Sequence, residues 1–279
     1  MSSDSPSSIY GSITGRRVSI TDLARAKAAE EKWTMVTAYD ALVAGTLEEA
    51  GVPVLLVGDS AAMVVFGHDS TLPVTLDEMV MLTAGVVRGT ERSLVVADLP
   101  FGSYQESPEQ ALRSATRLMK EAGAQAVKLE GGERVAPHIR LLVESGIPVM
   151  AHVGLTPQSV NTLGGYRVQG RGEAGHQLLD DALAVQEAGA FAVVLEVVPR
   201  DLAERVTKEL DIPTIGIGAG RGTDAQVLVW QDLLGLTPGK KPKFVQPYAD
   251  LRGVIVDAVQ AWRQDVTDEV YPDIDHSYS

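Results

Sequence analysis

Apolar residues along this chain fall into short β-branched runs, set between longer stretches with helical spacing, and the alternation recurs. Glu48-Glu49-Ala50-Gly51 precedes VPVLLVGDS, and Lys120-Glu121-Ala122-Gly123 precedes AQAVKLEGG. Val143-Glu144-Ser145-Gly146 precedes IPVMAHVG, and Gln186-Glu187-Ala188-Gly189 precedes AFAVVLEVV. Each unit reads as the last turn of a helix, a glycine stop, then a strand. Lys208 to Gly218 keeps the pattern with Asp211 in the glycine position. Helix starts lie between the units: Thr75-Leu76-Asp77-Glu78 is a capping box, and Ser107-Pro108-Glu109-Gln110 adds proline at the first helical position. A further amphipathic helix spans Asp22 to Lys32, ahead of the first strand.

The spacing predicts strands centred on Val36, Leu56, Val96, Val127, Val149, Val194, Ile215 and Leu234, although Val227 to Leu236 also fits a helix followed by a short strand. Strands without polar interruption, alternating with helices, indicate a parallel sheet covered on both faces. Eight such units close most economically as a (β/α)8 TIM barrel, here with an extra N-terminal helix; an open doubly wound sheet is the competitor. No linker divides the chain, which predicts a single barrel domain over 16–279. The Ser- and Pro-rich start, Met1 to Ser8, reads as a disordered tail drawn out to residue 15, without the apolar stretch of a signal peptide.

Composition narrows the chemistry. Of the 279 residues 45% are apolar, enough for a large core, and only 5% are aromatic, so that core is aliphatic. A net charge of −13 argues against nucleic acid as a partner, and no basic stripe offsets it. The absence of cysteine excludes disulfides, thiolate metal sites and cysteine nucleophiles. No apolar run approaches the roughly 20 residues of a membrane span, which predicts a soluble, cytoplasmic protein.

Polar groups gather where the strand units end. Asp59, Lys128, Glu130, His152 and Glu196 lie five to eight residues after their repeat glycines, and Asp98 closes SLVVAD. These are C-terminal strand ends, the face on which parallel barrels carry active sites. Lys128 and Glu130 are two apart and so share a side, facing the barrel axis if Val127 and Leu129 face the helices. A lone acid at a strand end is more often a helix cap or an ion-pair partner. Several on one rim are different, because unpaired buried charge costs several kcal/mol. Asp59, Asp98 and Glu130 would repel one another and rise in pKa, a cost that a divalent cation removes, and oxygen-only ligands favour Mg2+.

Three other features read two ways. His152 is more commonly a hydrogen-bonding core histidine than a ligand. The glycines of GIGAG (Gly216 to Gly220) suit a phosphate cradle or a tight turn. Leu163 to Gly175 suits a lid or an ordinary connection. The C-terminal helix, Leu251 to Asp265, reads as structural.

VGDS (57–60), ADLPFGSY (97–104), VKLEGG (127–132), HVGLTPQ (152–158), LEVVP (195–199) and GIGAG (216–220), in this order, resemble the ketopantoate hydroxymethyltransferase family over about Ile20 to Val266. The resemblance implies transfer of a hydroxymethyl group from 5,10-methylenetetrahydrofolate to 3-methyl-2-oxobutanoate through a Mg-stabilised enolate, giving 2-dehydropantoate for pantothenate synthesis. It implies Asp59 and Asp98 as metal ligands, with Glu130 completing the metal's surroundings through water. Asp59, Ser60, Asp98 and Lys128 would bind substrate, Glu196 would be the catalytic base, and His152 would stand behind them. It further implies a homo-oligomer, typically a decamer. The alternative is a related Mg-dependent 2-oxo acid lyase or mutase of the isocitrate lyase or phosphoenolpyruvate mutase type, whose lyases usually carry the reactive cysteine that this chain lacks.

Overall fold

A computed structural model describes residues 8–9 and 15–279. By its internal contacts the chain divides into two compact units, Met1–Val229 and Trp230–Ser279. The first unit is the barrel. Its strands are β1 (Trp33–Thr37), β2 (Val54–Val57), β3 (Leu94–Asp98), β4 (Ala126–Glu130), β5 (Val149–Gly154), β6 (Ala192–Glu196), β7 (Thr214–Ile217) and β8 (Ala225–Leu228). All pair in parallel in chain order, and β8 closes on β1 with Trp33 opposite Ala225. The closed barrel stands, and the open sheet is excluded.

Strand alternation sorts the side chains. One parity, including Val36, Leu55, Val95, Val127, Val149 and Val193, is buried outside the inner cluster, as expected of positions facing the helix layer. The other parity forms a single inner cluster with Trp33, Met35, Leu56, Leu94, Met150 and Ile215. Burying each such side chain contributes about 1.5–3 kcal/mol. The same inner files turn polar at their C-terminal ends, as Leu94-x-Val96-x-Asp98, Ala126-x-Lys128-x-Glu130, Met150-x-His152 and Ala192-x-Val194-x-Glu196. The barrel therefore has an apolar floor and a charged rim.

The first helix, Ile20–Ala28, adds Leu23 and Ala26 to the floor cluster. It starts and stops earlier than the expected span from Asp22 to Lys32. Asp22 is bent back to the helix start, where its carboxylate accepts the Ser19 N–H at 2.9 Å and pairs with Arg16 at 2.7 Å. Glu30 takes a left-handed φ of 54° and ends the turn. The expected tail over 1–15 lies mostly outside the described residues. Of its described part, Ile9 is buried in the floor cluster and donates its N–H to the Glu31 carboxylate at 3.0 Å.

The glycine stops behave as read: Gly51, Gly123, Gly146 and Gly189 have φ between +80° and +99°, a region that L side chains avoid. Thr75 caps Leu76–Arg88 with both capping-box bonds present. Ser107 caps Pro108–Lys120, but Gln110 Oε1 accepts the Glu106 N–H instead of closing a box.

The eighth strand is a correction. It lies at Ala225–Leu228, not around Leu234, and the chain then forms a short helix, Trp230–Leu233. No helix separates β7 from β8, so spacing copied from the earlier units overshoots. The second unit contains that short helix, a longer one over Leu251–Thr267 capped by Asp250, and a 3-10 turn at Ile274–His276. Along Leu251–Thr267 no residue is buried, and Val254, Ile255, Val259 and Trp262 are exposed.

Candidate active site

Five of the seven residues singled out in the sequence are the polar ends of neighbouring inner files, and strand register brings them together. Asp98 pairs with Lys128, Glu130 with His152, and Gly154 with Glu196. Asp59 follows β2 directly, and its N–H donates to Asp98 Oδ2 at 3.3 Å. Ser60 directly precedes the short helix Ala61–Val64, and its hydroxyl meets the Tyr39 hydroxyl at 2.8 Å instead of capping the helix. All seven lie on the C-terminal face of the barrel.

Lys128 is the positive centre. Its Nζ lies 2.8 Å from Asp98 Oδ1 and 3.3 Å from His152 Nδ1. Burial works against its charge, but Asp98, Glu130 and Asp59 outweigh burial and hold its pKa above the usual value. Burial pushes Asp98 up to about 7, Lys128 opposing and Asp59 adding to the rise. Asp59 is raised by burial against the favourable charge of Lys128 and a hydrogen bond from Gln158. Glu130 is raised well above the carboxylate range by burial and then by the charge of Asp59. The expected rise is present, with burial rather than mutual repulsion as its main cause.

His152 bridges the two halves of the rim. Burial and the Lys128 charge lower its pKa, favouring the neutral ring. With Lys128 donating to Nδ1, the ring proton belongs on Nε2, 3.3 Å from Glu196 Oε2. Glu196 is the least enclosed of the rim carboxylates, its side chain 16% exposed against 2% for Glu130. An exposed carboxylate beside a sealed cluster can reach a substrate proton.

The donor set fits a hard divalent cation. Three buried carboxylates face one ammonium, and Glu130 Oε1 accepts no hydrogen bond, His152 Nδ1 standing 3.5 Å away. Among the described residues no three or more His, Asp or Glu side chains are grouped so as to hold a metal ion by themselves. Mg2+ needs no such group, since it takes one or two carboxylates and fills its other positions with water and substrate oxygens.

Residues 17–274 match the model of the ketopantoate hydroxymethyltransferase family. The chain belongs to that family of enzymes. Relatives named 3-methyl-2-oxobutanoate hydroxymethyltransferase include one from Streptomyces avermitilis, 65% identical over 99% of this chain and 96% of its own. Another, from Thermobifida fusca, is 61% identical over 100% of both. Among solved structures, 2,3-dimethylmalate lyase, a PEP mutase/isocitrate lyase superfamily member, is similar at 19% identity and a TM-score of 0.57, over 93% of this chain and 91% of its own. Phosphonopyruvate hydrolase in complex with oxalate and Mg2+ is similar at 13% identity and 0.59, over 92% of each. Identities this low show a shared barrel fold and nothing of the reaction.

Within this ketopantoate hydroxymethyltransferase site two neutral residues escaped sequence reading. Gln158 and Tyr104 are both buried among the carboxylates, the Tyr104 hydroxyl donating to Gln158 Oε1 at 2.8 Å. Both stand inside motifs noted above, ADLPFGSY and HVGLTPQ, where a neutral side chain carries no charge signal. Of the GIGAG glycines Gly216 lies within β7, while Gly218 and Gly220 stand in the turn to β8 with positive φ, and Gln226 Nε2 donates to Gly220 O at 2.9 Å. No helix start follows that turn to complete a phosphate cradle. The stretch Leu163 to Gly175 reaches the rim, where Gln169 donates its N–H to Val197 O at 3.0 Å. Partial burial and the charges of Glu196, Asp59 and Glu130 raise the Tyr166 phenol on that stretch. Among the described residues no helix is long and apolar enough to cross a membrane.

Proposed function

We propose that this enzyme transfers a hydroxymethyl group from 5,10-methylenetetrahydrofolate to 3-methyl-2-oxobutanoate, giving 2-dehydropantoate for pantothenate synthesis. The observation that carries the reading is the convergence of Asp59, Asp98, Lys128, Glu130 and Glu196 on one barrel rim in a chain of this family. Asp59 and Asp98 would hold Mg2+, with Glu130 completing its surroundings. When bound, the ion polarises the 2-oxo acid's carbonyl and acidifies the C–H beside it.

The protein's own groups do the rest. Lys128 adds positive charge for the substrate oxygens, and Ser60, fixed by Tyr39, donates to the substrate carboxylate. Glu196, 3.3 Å from His152 Nε2, removes the C3 proton, and the electron pair of that C–H bond becomes the enolate. The enolate carbon then forms a C–C bond with the methylene carbon of the folate as the two C–N bonds of that carbon break. One water supplies the hydroxyl oxygen, and the proton taken up by Glu196 and one from the water pass to the two nitrogens as tetrahydrofolate leaves. A cytoplasmic location and a homo-oligomer, decameric by resemblance, complete the proposal; the apolar side chains exposed on Leu251–Thr267 favour cover by another copy.

The test is proton exchange. The protein with Mg2+ and 3-methyl-2-oxobutanoate in D2O is expected to exchange the C3 proton, followed by NMR, before any folate is added. Absence of exchange at every Mg2+ concentration would remove the enolate step. Exchange without product once methylenetetrahydrofolate is present would remove the assigned donor.

A further inference from the structure

Gln158 lies just after β5 in the turn Pro157–Ser159 and is buried. It is neutral and the proposed reaction does not use it, yet it joins three loops of the rim. Its Nε2 donates to Asp59 Oδ2 and to Leu99 O, each at 3.0 Å. Its Oε1 accepts from the Tyr104 hydroxyl at 2.8 Å and from Gln105 Nε2 at 3.1 Å. Its backbone N–H donates to Glu130 Oε2 at 3.1 Å.

These partners fix the amide in one orientation. A flipped amide would set its oxygen against a carbonyl and a carboxylate, both acceptors. Tyr104 is fixed as well: its hydroxyl accepts the Glu130 N–H at 3.2 Å, and its one hydrogen has Gln158 Oε1 at 2.8 Å as a nearer acceptor than Glu130 O at 3.3 Å. Gln105 Oε1 accepts the Gly102 N–H at 2.7 Å, which turns its NH2 group to Gln158.

We propose that Gln158 is a positioning residue for the divalent-ion site. Its side chain ties one oxygen of Asp59 and its backbone ties one oxygen of Glu130, so that the opposite oxygen of each is offered to the ion. Glu130 Oε1, buried without a hydrogen bond, is such an oxygen. The inference rests on the Mg2+ reading above. Glutamine suits the task because it brings two donors and an acceptor on a long side chain without a charge. A lysine there would compete with the ion, and a glutamate would repel Asp59.

The experiment uses Mn2+ as the probe and reads the free-ion signal by electron paramagnetic resonance, with ion-free thermal unfolding measured alongside. Gln158→Leu is expected to weaken Mn2+ binding about tenfold, or about 1.4 kcal/mol. Tyr104→Phe, which frees the amide to turn, is expected to weaken it about threefold. The double variant is expected to bind no more weakly than Gln158→Leu, because Tyr104 acts through Gln158. Wild-type affinity in Gln158→Leu overturns the inference and leaves the ion site standing. If Gln158→Leu does not fold, unchanged affinity in Tyr104→Phe overturns it. A wild-type protein that binds no Mn2+ overturns the ion site and this inference together.

Discussion

Replacing Asp98 with asparagine keeps the shape of the side chain and removes its charge, which separates the binding of an ion from the stability of the barrel. In the ion-free protein, burial holds this carboxyl at about 7 against 3.8 for a free aspartate. A carboxyl raised on folding contributes stability that is complete below about 3.8 and is lost as the pH rises through about 7. Between pH 6 and pH 8 the linkage relation gives a loss of about 1.4 kcal/mol from this group. In a barrel of this size that corresponds to a fall of about 2–4 °C in Tm. Asp98→Asn lacks the titration, so the Tm difference between wild type and variant is expected to change by that amount over this interval. Added Mg2+ acts in the opposite direction on the wild type alone. At a hundredfold excess over its Kd it contributes about 2.7 kcal/mol, and more of that survives at pH 8, where no proton competes for the carboxylate. Thermal unfolding of both proteins at pH 6 and pH 8, with and without Mg2+, reads all of these effects. Parallel pH dependence in the two ion-free proteins would refute the titration of Asp98, and equal stabilisation of both by Mg2+ would refute its role as a ligand.

Other substitutions probe neighbouring parts of the site and the frame. Glu196→Gln is expected to slow C3 proton exchange by about 10²–10⁴ while Mg2+ and substrate binding, measured by calorimetry, change little; normal exchange would leave the base unassigned. Gly154→Ala adds a Cβ 2.5 Å from Glu196 O at a residue with φ of +94°, so the β6 end must shift. Its kcat is expected to fall with Mn2+ affinity unchanged, and an unaltered kcat would mean that the position of Glu196 is not critical. Thr75→Ala removes an exposed helix cap bonded to Glu78 and is expected to cost about 1 kcal/mol in urea unfolding with no effect on ion binding; a loss of ion binding would tie that cap to the site.

Much of the site was legible because alternation along a buried parallel strand is a property of the backbone. Once the strand ends were placed, Asp98, Lys128, Glu130, His152 and Glu196 had to fall on one rim, and the register bears this out. Where the repeat was broken the reading failed. The link from β7 to β8 carries GAGRGTD instead of a helix, which moved the last strand from Leu234 to Ala225–Leu228. The first helix was misplaced because Asp22, an ordinary polar position in the periodic pattern, is a capping residue bound to Ser19 and Arg16.

By itself the sequence determined the alternation of strands and helices and the identity of the charged rim residues, since these follow from local periodicity and from strand parity; closure of the barrel over an open sheet was decided by the pairing of β8 with β1. Tertiary structure alone decided which of those charges touch. Lys128 is shared between Asp98 and His152, His152 spans to Glu196, and Gln158 ties Asp59 to Glu130 across three loops. Such contacts join residues up to 99 positions apart. A neutral glutamine or tyrosine gives no periodic or charge signal of such a role, because its effect depends on the distance and direction of hydrogen bonds that exist only after the barrel has closed.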